Sequence, residues 1–372
     1  MRSPLERLRE TVGRELAWKR HQARWKRLVA EHPLRYLFFE VTRRCNLACA
    51  YCGSDCGPKG RAEELSSAEW IEIARQIATD FEPKKVMVAV TGGEPLLKDG
   101  VFELFAELKR LGFAYGMVSN GWLLDAEAAR RLVECGMGSL SLSMDAPGEL
   151  NDELRGRGSS EKVTAAIGHL RSAGYQGKLE IISTLTRPAV AQLDEMRRWI
   201  AAQRISLWRV APVMPIGRAA RRPELTPGPE EVRQMLEFVL NARQDRLKPA
   251  PEFCEEGFLG NRFEGRVRPY LSQCRAGVTT GGILCDGRIG ACPELGEAFA
   301  QGDIRKERFK EVWETRYQAL RDRHWAHSGD CARCNQFARC GGGSLHLYEQ
   351  PGAPLLRCLY LMAKQAGEAP SK

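Results

Sequence analysis

Cys45, Cys49 and Cys52 spell Cys-x3-Cys-x2-Cys on one short stretch, with Cys56 close behind. Three thiolates on a single loop can wrap three irons of a 4Fe-4S cluster and leave the fourth iron without a protein ligand. An iron left open in this way is a binding site for another molecule. Zinc wants a fourth ligand, which Cys56 can supply, so a zinc site stays open as an alternative. Far downstream a second group follows at Cys254, Cys274, Cys285, Cys292, Cys331, Cys334, Cys340 and Cys358. The Cys331-x2-Cys334 spacing suits zinc as well as iron and sulfide. Between the groups stands Cys135, in a helix-end apolar context that reads as a buried, inert thiol. The chain has 13 cysteines and no apolar stretch of the kind that directs secretion, which points to metal or redox chemistry in a reducing cytoplasm.

Elements must position these thiols. Between the two cysteine groups, six short apolar runs rich in β-formers alternate with helical stretches: 35–42, 86–92, 115–121, 139–145, 179–185 and 207–214. Helices are expected to start near Ser66, Asp99, Asp125, Ser159, Val190 and Pro229, several behind Ser or Asp caps. Alternation of this kind means parallel strands with right-handed crossovers. Six units predict an α/β fold, a partial (β/α)6 barrel rather than a complete eight-unit one, with its chemistry at the carboxyl ends of the strands. From about Leu247 the alternation stops, and a small loop-rich, cysteine-rich domain that needs metal to hold it is expected. The expected division is 1–34 as a basic helical extension, 35–246 as the barrel and 247–372 as the cysteine-rich domain.

Four motifs fall in order at successive strand ends: the cysteine triad with Tyr51 before its last member, Thr91-Gly92-Gly93-Glu94-Pro95, Ser119-Asn120-Gly121, and Ser141-Leu142-Ser143-Met144-Asp145. With them the sequence resembles the radical S-adenosylmethionine (SAM) superfamily. The resemblance implies a SAM-binding 4Fe-4S cluster on Cys45, Cys49 and Cys52. It implies reductive cleavage of SAM to a 5′-deoxyadenosyl radical that takes hydrogen from substrate. It also implies SAM contacts at Gly92, Gly93, Glu94, Ser119, Asn120, Ser143, Asp145, Arg155 and Val213. Within that reading the glycines let backbone approach the methionine, Glu94 accepts from its ammonium group, and the Arg155 fork holds its carboxylate. Asn151 stands where relatives often carry His.

The run Cys274, Gly287, Cys292, Cys331-x2-Cys334-x5-Cys340 and Cys358 is similar to the SPASM extension, which binds auxiliary 4Fe-4S clusters. The likeness implies that Cys331, Cys334, Cys340 and Cys358 hold an outer cluster, while an inner one draws on Cys274 and Cys292. Where the family expects a further cysteine the chain has Ser344. Cys254 or Cys285 can compensate, or the inner cluster has an open iron; one or two auxiliary clusters are expected. The segments 37–40, 53–56 and 341–347 look most like the subgroup partnered with a small lipoprotein.

SPASM enzymes mostly oxidise peptides or proteins, so a peptide or protein substrate is expected, with an electron donor such as flavodoxin or ferredoxin. About 34 residues precede the first strand, too few for a leader-gripping domain, so leader recognition is expected to need a separate leader-binding protein, the basic N-terminal helix or the auxiliary domain. The alternative is a small anionic metabolite such as a tetrapyrrole, whose carboxylates Arg209, Arg218, Arg221 and Arg222 can neutralise. As general base, Glu294 and Asp286 are candidates, with His346 and His324 behind them. A non-catalytic iron-sulfur electron carrier is a third reading, against which the SAM constellation counts.

Composition bounds the rest. Of 372 residues 43% are hydrophobic and 28% charged, which excludes a mainly disordered chain. No apolar run approaches the roughly 18 residues of a membrane helix. The net charge of +9 raises an anionic partner, and part of it lies in the first 30 residues, read as a basic helix packed by Leu5, Leu8, Leu16 and Trp25. No element interleaves basic and aromatic residues, so nucleic acid is not expected.

Overall fold

The computed structural model describes residues 4–61 and 63–365, and their strands join one ten-stranded sheet. Six parallel strands form its centre: β1 (Tyr36–Thr42), β2 (Met87–Gly92), β3 (Ala114–Ser119), β4 (Ser139–Ser143), β5 (Lys178–Leu185) and β6 (Leu207–Pro212). The alternation of apolar runs with helices thus gives the order expected of it. The helices are α1 (Pro4–Glu31), α2 (Ser67–Asp80), α3 (Val101–Leu111), α4 (Ala126–Glu134), α5 (Glu149–Arg155), α6 (Ser159–Ser172), α7 (Arg187–Val190), α8 (Leu193–Ala202) and α9 (Pro229–Ala242). The short α5, which carries Arg155, was not anticipated.

Local chemistry explains the starts. Ser66 caps α2 by accepting from the Glu69 N–H, while the Glu69 carboxylate accepts from the Ser66 N–H at 2.7 Å, a capping box. Trp70, Ile73, Ala74 and Ile77 recur at helical spacing and are buried against the sheet. On β1, Leu37, Phe39 and Val41 form the matching face, with Phe39 and Trp70 ring centroids 4.9 Å apart. Period-2 alternation turns Tyr36, Phe38 and Glu40 to the opposite face.

That opposite face is concave. Tyr36 on β1 lies within electrostatic reach of Glu180 on β5 and Arg209 on β6, although three strands separate β1 from β5 in the sheet. The Glu180 carboxylate accepts from Ser141 on β4 at 2.9 Å and from Arg209. Only a strongly curled sheet brings these side chains together, and a right-handed strand twist supplies the curl.

The sheet continues past residue 246 on both edges. Next to β6 lies β7 (Pro251–Phe253), and next to β1 lies β8 (Thr280–Ile283), both parallel to their neighbours. Antiparallel β9 (Arg288–Gly290) and β10 (Gly302–Asp303) extend the second edge. The helix α10 (Phe309–Thr315) covers it, Phe309 and Trp313 being fully buried. The helix α1 packs onto the C-terminal region through Trp18, whose ring meets Phe258 at 5.5 Å, and through a Glu15–Arg339 ion pair at 2.5 Å. Leu16, expected to pack, is exposed because Trp18 defines the buried stripe, and Leu5 and Leu8 fall outside the described side chains. No helix among the described residues is long and apolar enough to cross a membrane.

Candidate active site

The loop after β1 carries the cysteine triad over the carboxyl ends of β2 to β4. Its neighbours explain the glycines of the second motif. A Cβ on Gly92, whose φ is +150°, would come 2.2 Å from the Thr42 carbonyl oxygen, and one on Gly93 would come 2.2 Å from that of Arg44. Any side chain there would push the cysteine loop off the sheet. The Gly93 and Glu94 N–H groups donate to those same two carbonyls at 2.8 and 2.9 Å.

Glu94 is fully buried, and its carboxylate accepts from the Ser119 hydroxyl at 3.0 Å, the Asn120 N–H at 2.8 Å and the Leu96 N–H at 3.1 Å. Burial pushes its pKa up to about 7 against those hydrogen bonds. The carboxylate therefore ties the ends of β2 and β3 together, a positioning role in addition to the ammonium contact expected of it. Asn120 in turn reaches the loop, donating to Asn46 Oδ1 at 2.9 Å and facing Cys45 Sγ at 3.7 Å.

At the end of β4, Asp145 and Arg155 form a two-bond fork at 2.8 and 2.9 Å, both nearly or fully buried. Asp145 also accepts from the Thr184 N–H at 2.8 Å and from the Tyr51 hydroxyl. Arg155 Nε and Nη2 are thus engaged internally, and the fork that the resemblance assigned to a carboxylate of SAM holds Asp145 here. Asn151 is buried as well, accepting from the Asp145 N–H and donating to Ser159. Ser143 is half-buried at the end of β4, and Val213 is buried just beyond β6, its N–H on the Leu185 carbonyl.

The triad thiols sit within mutual electrostatic reach. Burial pushes Cys45 up to about 11 and raises Cys49, with the neighbouring thiolates adding to both. Cys52 goes the other way, pulled down to about 6 chiefly by the hydrogen bond from the Cys56 thiol. The Cys56 thiol also lies 3.8 Å from the Ser54 carbonyl.

Sequence reasoning assigned the clamp on this loop to substrate. Arg218, just after β6, donates from Nε to the Cys49 carbonyl at 2.7 Å and from Nη1 to the Cys56 carbonyl at 2.7 Å and to Asp55 at 2.8 Å. Its N–H donates to the Cys52 carbonyl at 3.0 Å. The preceding Gly217, at φ +55°, lies flush on Gly53, where a Cβ would come 2.1 Å from the carbonyl oxygen.

In the C-terminal region Cys331, Cys334, Cys340 and Cys358 gather. Burial, with the charges on the other three adding to it, raises Cys331 to about 11. Cys274 and Cys292 lie within electrostatic reach of each other, and Cys254 is drawn into the same region: Cys254 and Cys292 are both within electrostatic reach of Glu255, Cys254 also of Arg209 and Cys292 of Tyr36. Cys285 does not join them. It is fully buried among Glu40, Glu64, Asp286 and Arg43, because β8 and β9 carry it to the far side of β1. Asp286 stays with it, paired to Arg288 at 2.8 Å and Arg61 at 3.1 Å, and these partners hold it ionised. Glu294 lies elsewhere, within reach of a Cβ on Gly53 at 3.4 Å and 3.8 Å from His346 Nδ1, between the cysteine loop and the Cys254–Cys274–Cys292 group.

Among the described residues no three His, Cys, Asp or Glu groups converge closely enough to hold a single metal ion. A cubane differs, since its thiolates spread around four irons and four sulfides. Three groups of three, three and four thiols, too spread to close on a single ion, fit the donor chemistry of such clusters.

Comparison with known proteins agrees. Residues 39–189 match the radical SAM superfamily, and residues 274–335 match an iron-sulfur cluster-binding domain, SPASM. Mycofactocin maturase MftC of Mycolicibacterium smegmatis is 31% identical over 327 residues, 86% of this chain and 80% of that one. An AdoMet-dependent heme synthase of Oleidesulfovibrio alaskensis is 27% identical over 342 residues, 85% of this chain and 86% of that one. Two solved structures share the fold: anSMEcpe with AdoMet and the Cp18Cys peptide, at 18% identity and TM-score 0.69 over 90% of this chain and 95% of that one, and Streptococcus suis SuiB bound to precursor peptide SuiA, at 20% and 0.68 over 88% and 77%. With its strand-end motifs, three thiol groups and a relative at this identity along most of its length, the chain belongs to the radical SAM superfamily, as an enzyme that uses S-adenosylmethionine and 4Fe-4S clusters.

Proposed function

We propose that this enzyme takes a hydrogen atom from a peptide or protein substrate and oxidises it with the help of auxiliary clusters. The observation that carries this reading is the state of the arginines a polycarboxylate would need. Arg209 is paired with Glu180, Arg218 and Arg221 with Asp55, and Arg222 with Glu224. The exposed pairs of Arg221 and Arg222 open at little cost, but a tetrapyrrole carboxylate would have to compete with the buried Glu180 for Arg209, whereas a peptide main chain, with no net charge, does not ask for it. The maturase relative at 31% identity points the same way.

Bound together, the cluster on Cys45, Cys49 and Cys52 and SAM supply a 5′-deoxyadenosyl radical at the carboxyl end of the barrel. The chain's own residues do the rest. Glu94 and Asn120 fix the strand ends under the loop, and Arg218 fixes the loop itself. Glu294, exposed between the loop and the inner thiols, is suited to take the proton that an oxidised side chain releases, with His346 beside it. A flavodoxin or ferredoxin would deliver the reducing electron, and a leader-binding protein is a further partner of this reading.

The heme synthase relatives keep a second reading in play, a tetrapyrrole substrate. The two separate in one assay of the reconstituted enzyme with dithionite and SAM, following 5′-deoxyadenosine by mass spectrometry. A short-peptide library is expected to raise its formation at least about tenfold over background, and iron-coproporphyrin III is expected not to. Stimulation by the porphyrin alone would replace the peptide reading with the other.

A further inference from the structure

The inner thiol group has three members, Cys254, Cys274 and Cys292, one short of a full set for a 4Fe-4S cluster. At the place where a fourth cysteine would stand is Ser344, buried to 1% exposure. Its hydroxyl does not face the thiols as a free ligand. It donates to Glu255 Oε1 and lies 3.3 Å from the Glu256 carbonyl. A serine binds iron only as an alkoxide, and a hydroxyl committed as donor to a carboxylate is not one. The anion at this position is therefore Glu255.

Glu255 is itself buried, at 9% exposure, and lies close enough to raise both Cys254 and Cys292. Among the described residues its contacts all fall on Oε1: the Ser344 hydroxyl, the Glu256 N–H at 3.1 Å and His346 Nε2 at 3.6 Å. Oε2 accepts no hydrogen bond among them and is not sealed off as an unpaired buried oxygen, so it stays open to a ligand.

We propose that Glu255, oriented by Ser344, is the fourth ligand of the inner auxiliary cluster, bound through Oε2 beside Cys254, Cys274 and Cys292. This rests on the reading that the inner group holds a cluster at all, and the test separates the two.

The full-length protein is reconstituted with 57Fe and examined by iron count, Mössbauer spectroscopy and EPR, without turnover. Wild type is expected to hold about 12 irons, one of them with the Mössbauer parameters of an oxygen-ligated site. Glu255→Gln keeps an acceptor for Ser344 but removes the anion. It is expected to lose about one iron and gain a 3Fe-4S EPR signal, or to lose about four. Glu255→Cys is expected to restore the count and remove the oxygen-ligated signature, which guards against a folding defect in the first variant. Ser344→Ala is expected to keep the iron. If Cys254→Ala/Cys274→Ala/Cys292→Ala leaves the iron count unchanged, there is no inner cluster and both readings fall. Should that triple variant lose about four irons while Glu255→Gln matches wild type in count and spectra, only the Glu255 assignment falls. Loss of the oxygen-ligated signature in His346→Ala with its retention in Glu255→Gln would move the ligand to the histidine.

Discussion

Glu94 shows how one side chain can serve a site from beneath it. Its carboxylate is fully buried and takes its hydrogen bonds from neutral donors, so desolvation outweighs three donors and lifts its pKa to about 7. The sign of the consequence follows from proton binding. Between the unfolded value of 4.5 and about 7 the folded chain holds the proton more tightly than the unfolded one, so this group's contribution to stability falls as pH rises through that window. From about pH 5.5 to about pH 8 the loss is about 2 kcal/mol. Glu94→Gln removes it. Urea melts of the reconstituted protein should show wild type losing about 2 kcal/mol relative to the variant across that range; parallel profiles would show that Glu94 titrates normally. The motif around Glu94 was legible in the sequence because Gly-Gly-Glu-Pro follows a strand. Its role was not, since spacing does not tell whether a carboxylate faces a ligand or ties two strand ends together. Arg155 teaches the same lesson: its type and place were readable, its engagement with Asp145 was not.

At the scale of elements, the cysteine loop depends on a segment more than 160 positions away. Gly217 and Arg218, on the turn after β6, hold it by contact and by hydrogen bonds to the carbonyls of Cys49, Cys52 and Cys56. Each charge-assisted bond of this kind contributes about 1.5–3 kcal/mol. Arg218→Ala is expected to lower the melting temperature and to lose the triad's irons first. Under chelator challenge about four of about twelve irons should leave at least tenfold faster than in wild type, with the auxiliary irons retained. Arg218→Lys should rescue little, because one ammonium group cannot span two carbonyls and Asp55 as the guanidinium does. Gly217→Ala, which drives a methyl into Gly53, should behave like Arg218→Ala. Uniform loss from all clusters would assign these residues to general stability instead. The six central strands and most helix starts were legible because each has a full apolar period, with side-chain caps from Ser66 and Asp125 marking the starts of α2 and α4. The clamp was not, since nothing local in Ile216-Gly217-Arg218 names its partner.

At the scale of the whole molecule, the expected boundary near residue 246 divides a continuous sheet. β7 pairs with β6 over three residues and β8 with β1 over four, so the C-terminal region closes both edges of the six central strands. The sequence concealed this for a physical reason: β7, β9 and β10 have three, three and two residues, too short for alternation, and β8 reads Thr-Gly-Gly-Ile. Those glycines answer to close packing. A Cβ on Gly281 would come 2.7 Å from the Phe309 ring and one on Gly282 3.3 Å from Ala291. Cutting the chain after residue 246 would uncover the β1 edge and the β6 edge together. Unpaired edges of buried parallel strands recruit other chains. Residues 1–246 expressed alone should therefore aggregate, or sediment as higher oligomers, even when Cys45, Cys49 and Cys52 are loaded with iron. Loss of the outer cluster alone, in Cys331→Ala/Cys334→Ala/Cys340→Ala, should be milder, because β7 and β8 precede those cysteines and their pairing does not include them. A monomeric fragment 1–246 that melts cooperatively would show that the barrel is a domain of its own, with the C-terminal strands merely resting on its edges.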